Sequence, residues 1–291
     1  MRWSGWWLSG VVLWGALARA GTPGVADPGT GGPWDFREIT PGVELSTPLA
    51  PMKSAVGDSR LTVVRIDPAK RPLRLYGIGA LKLPEGLTAE QWARNYGLLA
   101  VINAGMFETD YRTPTGYAKV DGRELNPRWK SKYQSLLVAD PVDPKLPQAR
   151  ILDPECDGDV REVAKQYKVA LQSLRMIDCK GKNRWSQQPR QWSIAALASD
   201  TRGRLLFIHS RSPYSVHDFN ELLLKLDLGI SRAMYLEGGP EASLRVALPD
   251  GVMDRVGSYE TGFFESDDNT RYWALPNVLA VELPPKPKVA R

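Results

Sequence analysis

Five successive apolar residues, Leu98 to Ile102, end abruptly at Asn103-Ala104-Gly105. The run is too short for a buried helix and offers no polar face to water. It reads as a strand covered on both sides, so the fold must place a layer against each face. A second apolar segment, Ala233 to Leu236, stops in the same way at Glu237-Gly238-Gly239-Pro240.

The segments around these two alternate between strand and helix periods. Leu61–Ile66 and Leu73–Tyr76 read as neighbouring strands joined through a turn from Pro68 to Pro72. Thr88-Ala89-Glu90-Gln91 has the form of a capping box, predicting a helix to about Asn95 that stops at Gly97. Ser135–Ala139 is a further strand, and a short helix is expected near Val160–Tyr167 within a loop-rich stretch. Ser193–Ala198 and Leu205–Ile208 flank Asp200-Thr201-Arg202-Gly203, a hairpin turn. Ser215 opens a helix whose apolar residues Phe219, Leu222, Leu223 and Leu226 share one face, with Gly229 as its stop. Val278–Leu283 alternates and closes the sheet. The expectation is an α+β fold, a mixed β-sheet core flanked by helices, in a single domain.

The chain ends read differently. Arg2, an uncharged apolar stretch from Trp6 to Leu17, and Ala18-Arg19-Ala20 have the layout of a cleavable export signal over residues 1–20. Its apolar part falls short of the roughly 20 residues a membrane span requires. A periplasmic or secreted protein without stable membrane insertion is expected. Residues 21–59 read as a leader and N-terminal extension, 60–283 as the folded domain, and 284–291 as a disordered tail. Loss of Arg2 and Arg19 takes the formal charge from +5 to +3, and no Lys/Arg cluster is interleaved with aromatics, so nucleic acid is not an expected partner. Cys156 and Cys179 are the only cysteines. In an oxidising compartment they read as a disulfide, the alternative being two buried free thiols. With two histidines in the chain, no metal or other cofactor is expected.

Candidate chemistry concentrates at the two turns. A carboxylate at the end of a buried strand is costly unless it is paired, solvated or used. Glycines after it allow close backbone approach. Glu237 and Asn103 are therefore candidate site residues, the alternative being ordinary turn residues that cap strand ends.

Asn103-Ala104-Gly105-Met106-Phe107, followed by Pro114 and Gly116, resembles the Asn-Gly-Gly-Met/Phe-Phe…Pro-x-Gly element of the phosphodiester glycosidases. The helix after Ser215, then Leu228-Gly229 and Ala233-Met234-Tyr235-Leu236-Glu237-Gly238-Gly239, is similar to that family's helix leading into Leu-Asp-Gly-Gly…Ser. The resemblance covers residues 60–283 and rests on the two motifs standing in order, about 130 residues apart. Glu237 stands where the family has Asp, and Ser243 is the approximate counterpart of its Ser. Arg190 stands near the place of an Arg that precedes Ser193–Ala198.

The resemblance implies hydrolysis of a sugar C1–oxygen bond with a phosphate ester as leaving group, on a small molecule or glycan that carries phosphate. It casts Glu237 as nucleophile or base beside the anomeric carbon, and Asn103 as a residue that orients sugar hydroxyls. The backbones of Gly105, Gly238 and Gly239 would line the site, Arg190 would hold phosphate, and Ser243 would contact substrate. His209 is either a ligand contact or a structural residue at its strand end. Trp129, Trp185 and Trp192 are candidate stacking rings or packing residues. Glu241 faces either solvent or pocket, while Asp218 is assigned to a helix cap and Asp200 to the hairpin. The alternatives are a non-catalytic sugar-phosphate or polysaccharide binding protein of the same fold, and an exopolysaccharide-assembly partner. The enzymatic reading requires the strand ends at Asn103 and Glu237 to converge on one cleft.

Overall fold

The computed structural model describes residues 35–284; the expected export signal and nearly all of the expected tail lie outside them. The fold is dominated by β-structure. The expected single mixed sheet is instead three antiparallel sheets. One has seven strands in the order Arg37–Thr40, Val43–Ser46, Leu61–Ile66, Leu205–Tyr214, Trp192–Asp200, Ile230–Gly238, Arg175–Ile177. The second runs Arg123–Asn126, Ala118–Val120, Tyr167–Ser173, Ser135–Pro141, Ala149–Leu152. The third runs Gly251–Val256, Ser243–Leu248, Leu98–Asn103, Asn277–Glu282, Leu73–Gly77. The segment 37–46, inside the expected N-terminal extension, thus supplies two strands of the largest sheet.

All three sheets turn one face to a common core, where Leu197, Phe207 and Met234 of the first meet Leu137 and Leu171 of the second and Ile102 and Leu279 of the third. The outer faces are covered separately. Along Trp192–Asp200 the core takes Ala195 and Leu197, while Ile194, Ala196 and Ala198 meet Phe219, Leu222 and Leu223 of the helix Val216–Lys225. Leu98 and Val101 face Trp92 of the helix Ala89–Tyr96. This double covering is why Leu98–Asn103, the middle strand of its sheet, is buried at all six positions. Antiparallel pairing produces the continuous apolar run here because each sheet is sandwiched.

Local signals hold where the argument is local. Thr88 and Gln91 form the reciprocal capping box, and Gly97, with φ of 65°, ends the helix. The Trp192–Asp200 and Leu205–Tyr214 hairpin forms as expected. Three expectations are corrected. Leu61–Ile66 and Leu73–Gly77 belong to different sheets, because each finds a distant partner, Leu205–Tyr214 and Asn277–Glu282 respectively. The helix after Ser215 ends at Lys225, since Leu226 is already extended; Gly229 instead accepts the Thr201 amide through its carbonyl. The helix near Val160 stops at Ala164, and Tyr167 begins a strand.

Cys156 and Cys179 form a disulfide. The closed loop stabilises by about 3 kcal/mol on the chain-entropy account. Beside it Arg175 Nη1 meets Asp153 Oδ1 at 2.7 Å and Nη2 meets Glu155 Oε1 at 2.8 Å. Asp153 Oδ2 also accepts the Cys179 amide, so bridge and ion pair tie the same corner.

Candidate active site

Ile230–Gly238 is an interior strand, and its register against Trp192–Asp200 shifts at its end. Ala196 pairs with Tyr235 and Ala195 with Glu237, leaving Leu236 as an extra residue. Such a bulge breaks alternation and re-aims the side chains beside it. Tyr235 and Glu237 both line a single open cleft of about 440 Å³. Met106, Phe107 and Thr115, from the segment that follows Leu98–Asn103, form one wall. Gly238 and Glu241 continue from the Glu237 turn, and Arg190, Trp192 and Glu260 complete the lining. The two glycine-bearing turns therefore meet at one place.

Asn103 sits behind this cleft rather than among its lining residues, and is 2% exposed. Its Nδ2 donates to the Glu241 carbonyl at 2.9 Å and its Oδ1 accepts the Ser243 amide at 2.7 Å. Ser243 is fully buried, and its hydroxyl donates to the same Glu241 carbonyl. His209 is also buried, with Nε2 3.3 Å from the Ala242 carbonyl. Burial pulls its pKa down to about 3, so the ring is neutral and its Nε2–H donates to that carbonyl. These three residues support the turn after Glu237 from beneath.

The glycines have a tighter purpose than the sequence suggests. A Cβ on Gly238 would run into the Tyr235 hydroxyl and the Trp192 ring. A Cβ on Gly239, which has φ of +61°, would strike the Glu260 carboxylate. They admit the protein's own side chains, which then shape the cleft. Gly105 lies outside the lining and takes φ of +75° to turn the chain.

Three carboxyl groups share the cleft. Burial, followed by the negative charge of Glu241 and then that of Glu260, raises Glu237 to about 8; the Gly238 amide, donating to its Oε1 at 3.1 Å, opposes the rise. Burial also raises Glu241 to about 7, with Glu260 adding to the effect. Burial raises Glu260 as well, against the pull of Arg190. Tyr235 is held well above its ordinary value by burial and then by Glu237. Arg190 is exposed at the rim, its Nη2 3.8 Å from Glu260 Oε1, and is the one cation among the lining residues.

Of the candidate stacking rings, Trp192 lines the cleft. Trp129 stacks on Tyr117 at 4.2 Å, and Trp185 packs against Tyr235. Asp218 and Ser215 cap their helix, and Asp200 accepts the Arg202 and Arg204 amides of the hairpin. Glu260 escapes sequence reasoning because no local pattern marks it. Its place is set by long-range pairing, in which Thr261 donates to the Gln191 carbonyl and Gln191 to the Thr261 hydroxyl. Among the described residues, no group of three or more His, Cys, Asp or Glu side chains is arranged to hold a metal ion, and no helix is long and apolar enough to cross a membrane.

Carboxyl groups gathered in an open cleft with an aromatic wall form the layout used to cleave glycosidic bonds. The chain belongs to the phosphodiester glycosidase family, whose model matches residues 96–282. Among solved structures it is similar to the catalytic domain of zebrafish N-acetylglucosamine-1-phosphodiester alpha-N-acetylglucosaminidase, auto-inhibited by its pro-peptide. That match has a TM-score of 0.58 and 14% identity over 85% of this chain and 86% of that one. A hypothetical protein from Synechocystis gives a TM-score of 0.58 and 15% identity, over 84% of this chain and 63% of the other. No curated protein matches the chain. At such identities the structural likeness speaks for the fold.

Proposed function

We propose that the protein is an exported glycoside hydrolase that cleaves a sugar-1-phosphodiester, or a related phosphate-bearing envelope glycan, at the sugar C1–oxygen bond. The observation that carries this reading is the convergence of the Met106–Thr115 wall and the Glu237 turn on one cleft that also holds Arg190. Export is supported by the layout of residues 1–20 and by the disulfide.

Glu237 is the carboxyl proposed at the anomeric carbon, as nucleophile or base. The Gly238 amide favours its charged form, and that charge balances an oxocarbenium-like transition state. A departing phosphate ester is a weak base and requires little protonation. Arg190, with its planar fork of donors, takes the part of holding it. Water supplies its oxygen to C1 and the C1–oxygen bond to phosphate breaks. The products are a reducing sugar and a phosphomonoester, and the proton of water leaves to solvent or to the phosphate.

The test is hydrolysis of a panel of sugar 1-(ethyl phosphate) diesters in oxygen-18 water. The expected outcome is release of reducing sugar labelled at the anomeric hydroxyl, with Glu237→Gln slower by on the order of 10²-fold or more. Label in the phosphate, or an unaltered rate in the variant, overturns the assignment. Tight binding without turnover identifies a binding protein instead.

A further inference from the structure

The cleft has an unusual charge inventory for a phosphate site: three glutamates and a single guanidinium. Glu260 stands between the two. Its Oε1 faces Arg190 at 3.8 Å, longer than a close ion pair, so the guanidinium keeps donors free for a ligand. Its carboxylate lies against Gly239, where no side chain fits. The backbone that carries Glu260 is fixed, being bonded in both directions to Phe264 and bridged to Trp192. A phosphodiester brings one negative charge, which Arg190 can balance. The phosphomonoester left after hydrolysis gains a second charge above about pH 6, and no further cation lines the cleft to receive it.

We propose that Glu260 is a specificity-determining residue that lets the cleft hold a phosphodiester and drives out the phosphomonoester formed from it. The proposal rests on the reaction proposed above. Each turnover converts a monoanion into a product that sheds one more proton to solvent, and Glu260 opposes that extra charge from within the same cleft. The groups facing Glu260 are Arg190, Tyr235, Glu237 and Glu241. Glu260 is the only carboxyl of the three with a cation beside it, and Arg190 favours its ionised form against the burial that raises it.

The experiment is inhibition of diester hydrolysis by ethyl phosphate, the phosphomonoester that the proposed reaction releases, from pH 5.5 to pH 7.5, in the full protein and in Glu260→Gln. In the native protein the inhibitor should weaken as pH rises through its second ionisation near pH 6. In Glu260→Gln that dependence should flatten, and the ratio of inhibitor Ki to diester KM should fall roughly tenfold at pH 7.5. Diester turnover with the same pH dependence and ratio in both proteins overturns the role of Glu260 and leaves the proposed reaction standing. Should the variant not fold, pH-independent inhibition of the native protein overturns the proposal equally well. A protein that turns over no diester overturns both.

Discussion

Oδ1 of Asn103 accepts the backbone amide of Ser243 at 2.7 Å, and through that bond the two glycine turns are clamped to one another. The other half of the same amide holds the Glu241 carbonyl. Asn103 thus fixes the backbone on which Glu241 rides, from a position where it is itself withdrawn from water. Replacing it with Leu would leave a buried donor or acceptor unmet on the facing turn. Asn103→Leu is expected to cost about 2–4 kcal/mol, read as a lower midpoint in denaturant unfolding. Asn103→Asp keeps the acceptor but sets an oxygen against the Glu241 carbonyl, and should be destabilised as well.

The coupling between Glu241 and Glu237 is expected to show in the pH–rate profile. Ionised Glu237 is the active form in the proposed reaction, so the rate of the native protein should rise as pH climbs toward about 8. Removing the Glu241 charge removes the second-largest cause of that elevation. In Glu241→Gln the rising limb of kcat/KM should therefore move to lower pH, and a limb that stays in place would separate the two groups.

Stability should respond to the same burial with a defined sign. Glu237 is raised from 4.5 to about 8 in the folded chain. Between those values the native state binds more protons than the unfolded one, so stability falls as pH rises. Glu241 acts alike, up to about pH 7. Glu237→Gln removes the cost of burying a charge. Its melting temperature should exceed that of the native protein at pH 9, with the difference shrinking or reversing at pH 4.5, as calorimetry at both values would show.

Outside the cleft lining, the Arg175–Asp153 pair offers a check on the fold. Both side chains are buried, and Asp153 is 1% exposed. Arg175→Met strands a buried carboxylate and should cost about 3–5 kcal/mol. Joint replacement of Asp153 by Leu should recover part of that loss, measured as a double-mutant cycle in denaturant unfolding.

Much of this organisation is legible in the sequence wherever it depends on neighbours along the chain. The Thr88 capping box, the apolar face of the Val216–Lys225 helix and the Asp200 hairpin are all written in a few consecutive residues. Sheet membership is different. Leu61–Ile66 and Leu73–Gly77 are separated by a short turn, yet each pairs with a strand that stands more than a hundred residues further on. No periodicity encodes that choice. The cleft divides in the same way. Glu237 announces itself as an acid that ends an apolar strand, whereas Glu260 arrives in the cleft through long-range pairing of its segment with Gln191 and Trp192. Asn103 carries the right motif, but its motif does not reveal that its amide faces backbone.

The cleft draws its carboxyl at position 237 from an interior strand and its walls from connecting segments on either side. An interior strand is held along both edges and tolerates little change in length, whereas segments such as 108–113 and 257–264 can lengthen or be exchanged at small cost. Inheritance can therefore rewrite which glycan is admitted while the reacting group keeps its place. Relatives with unlike substrates should differ most in those two stretches.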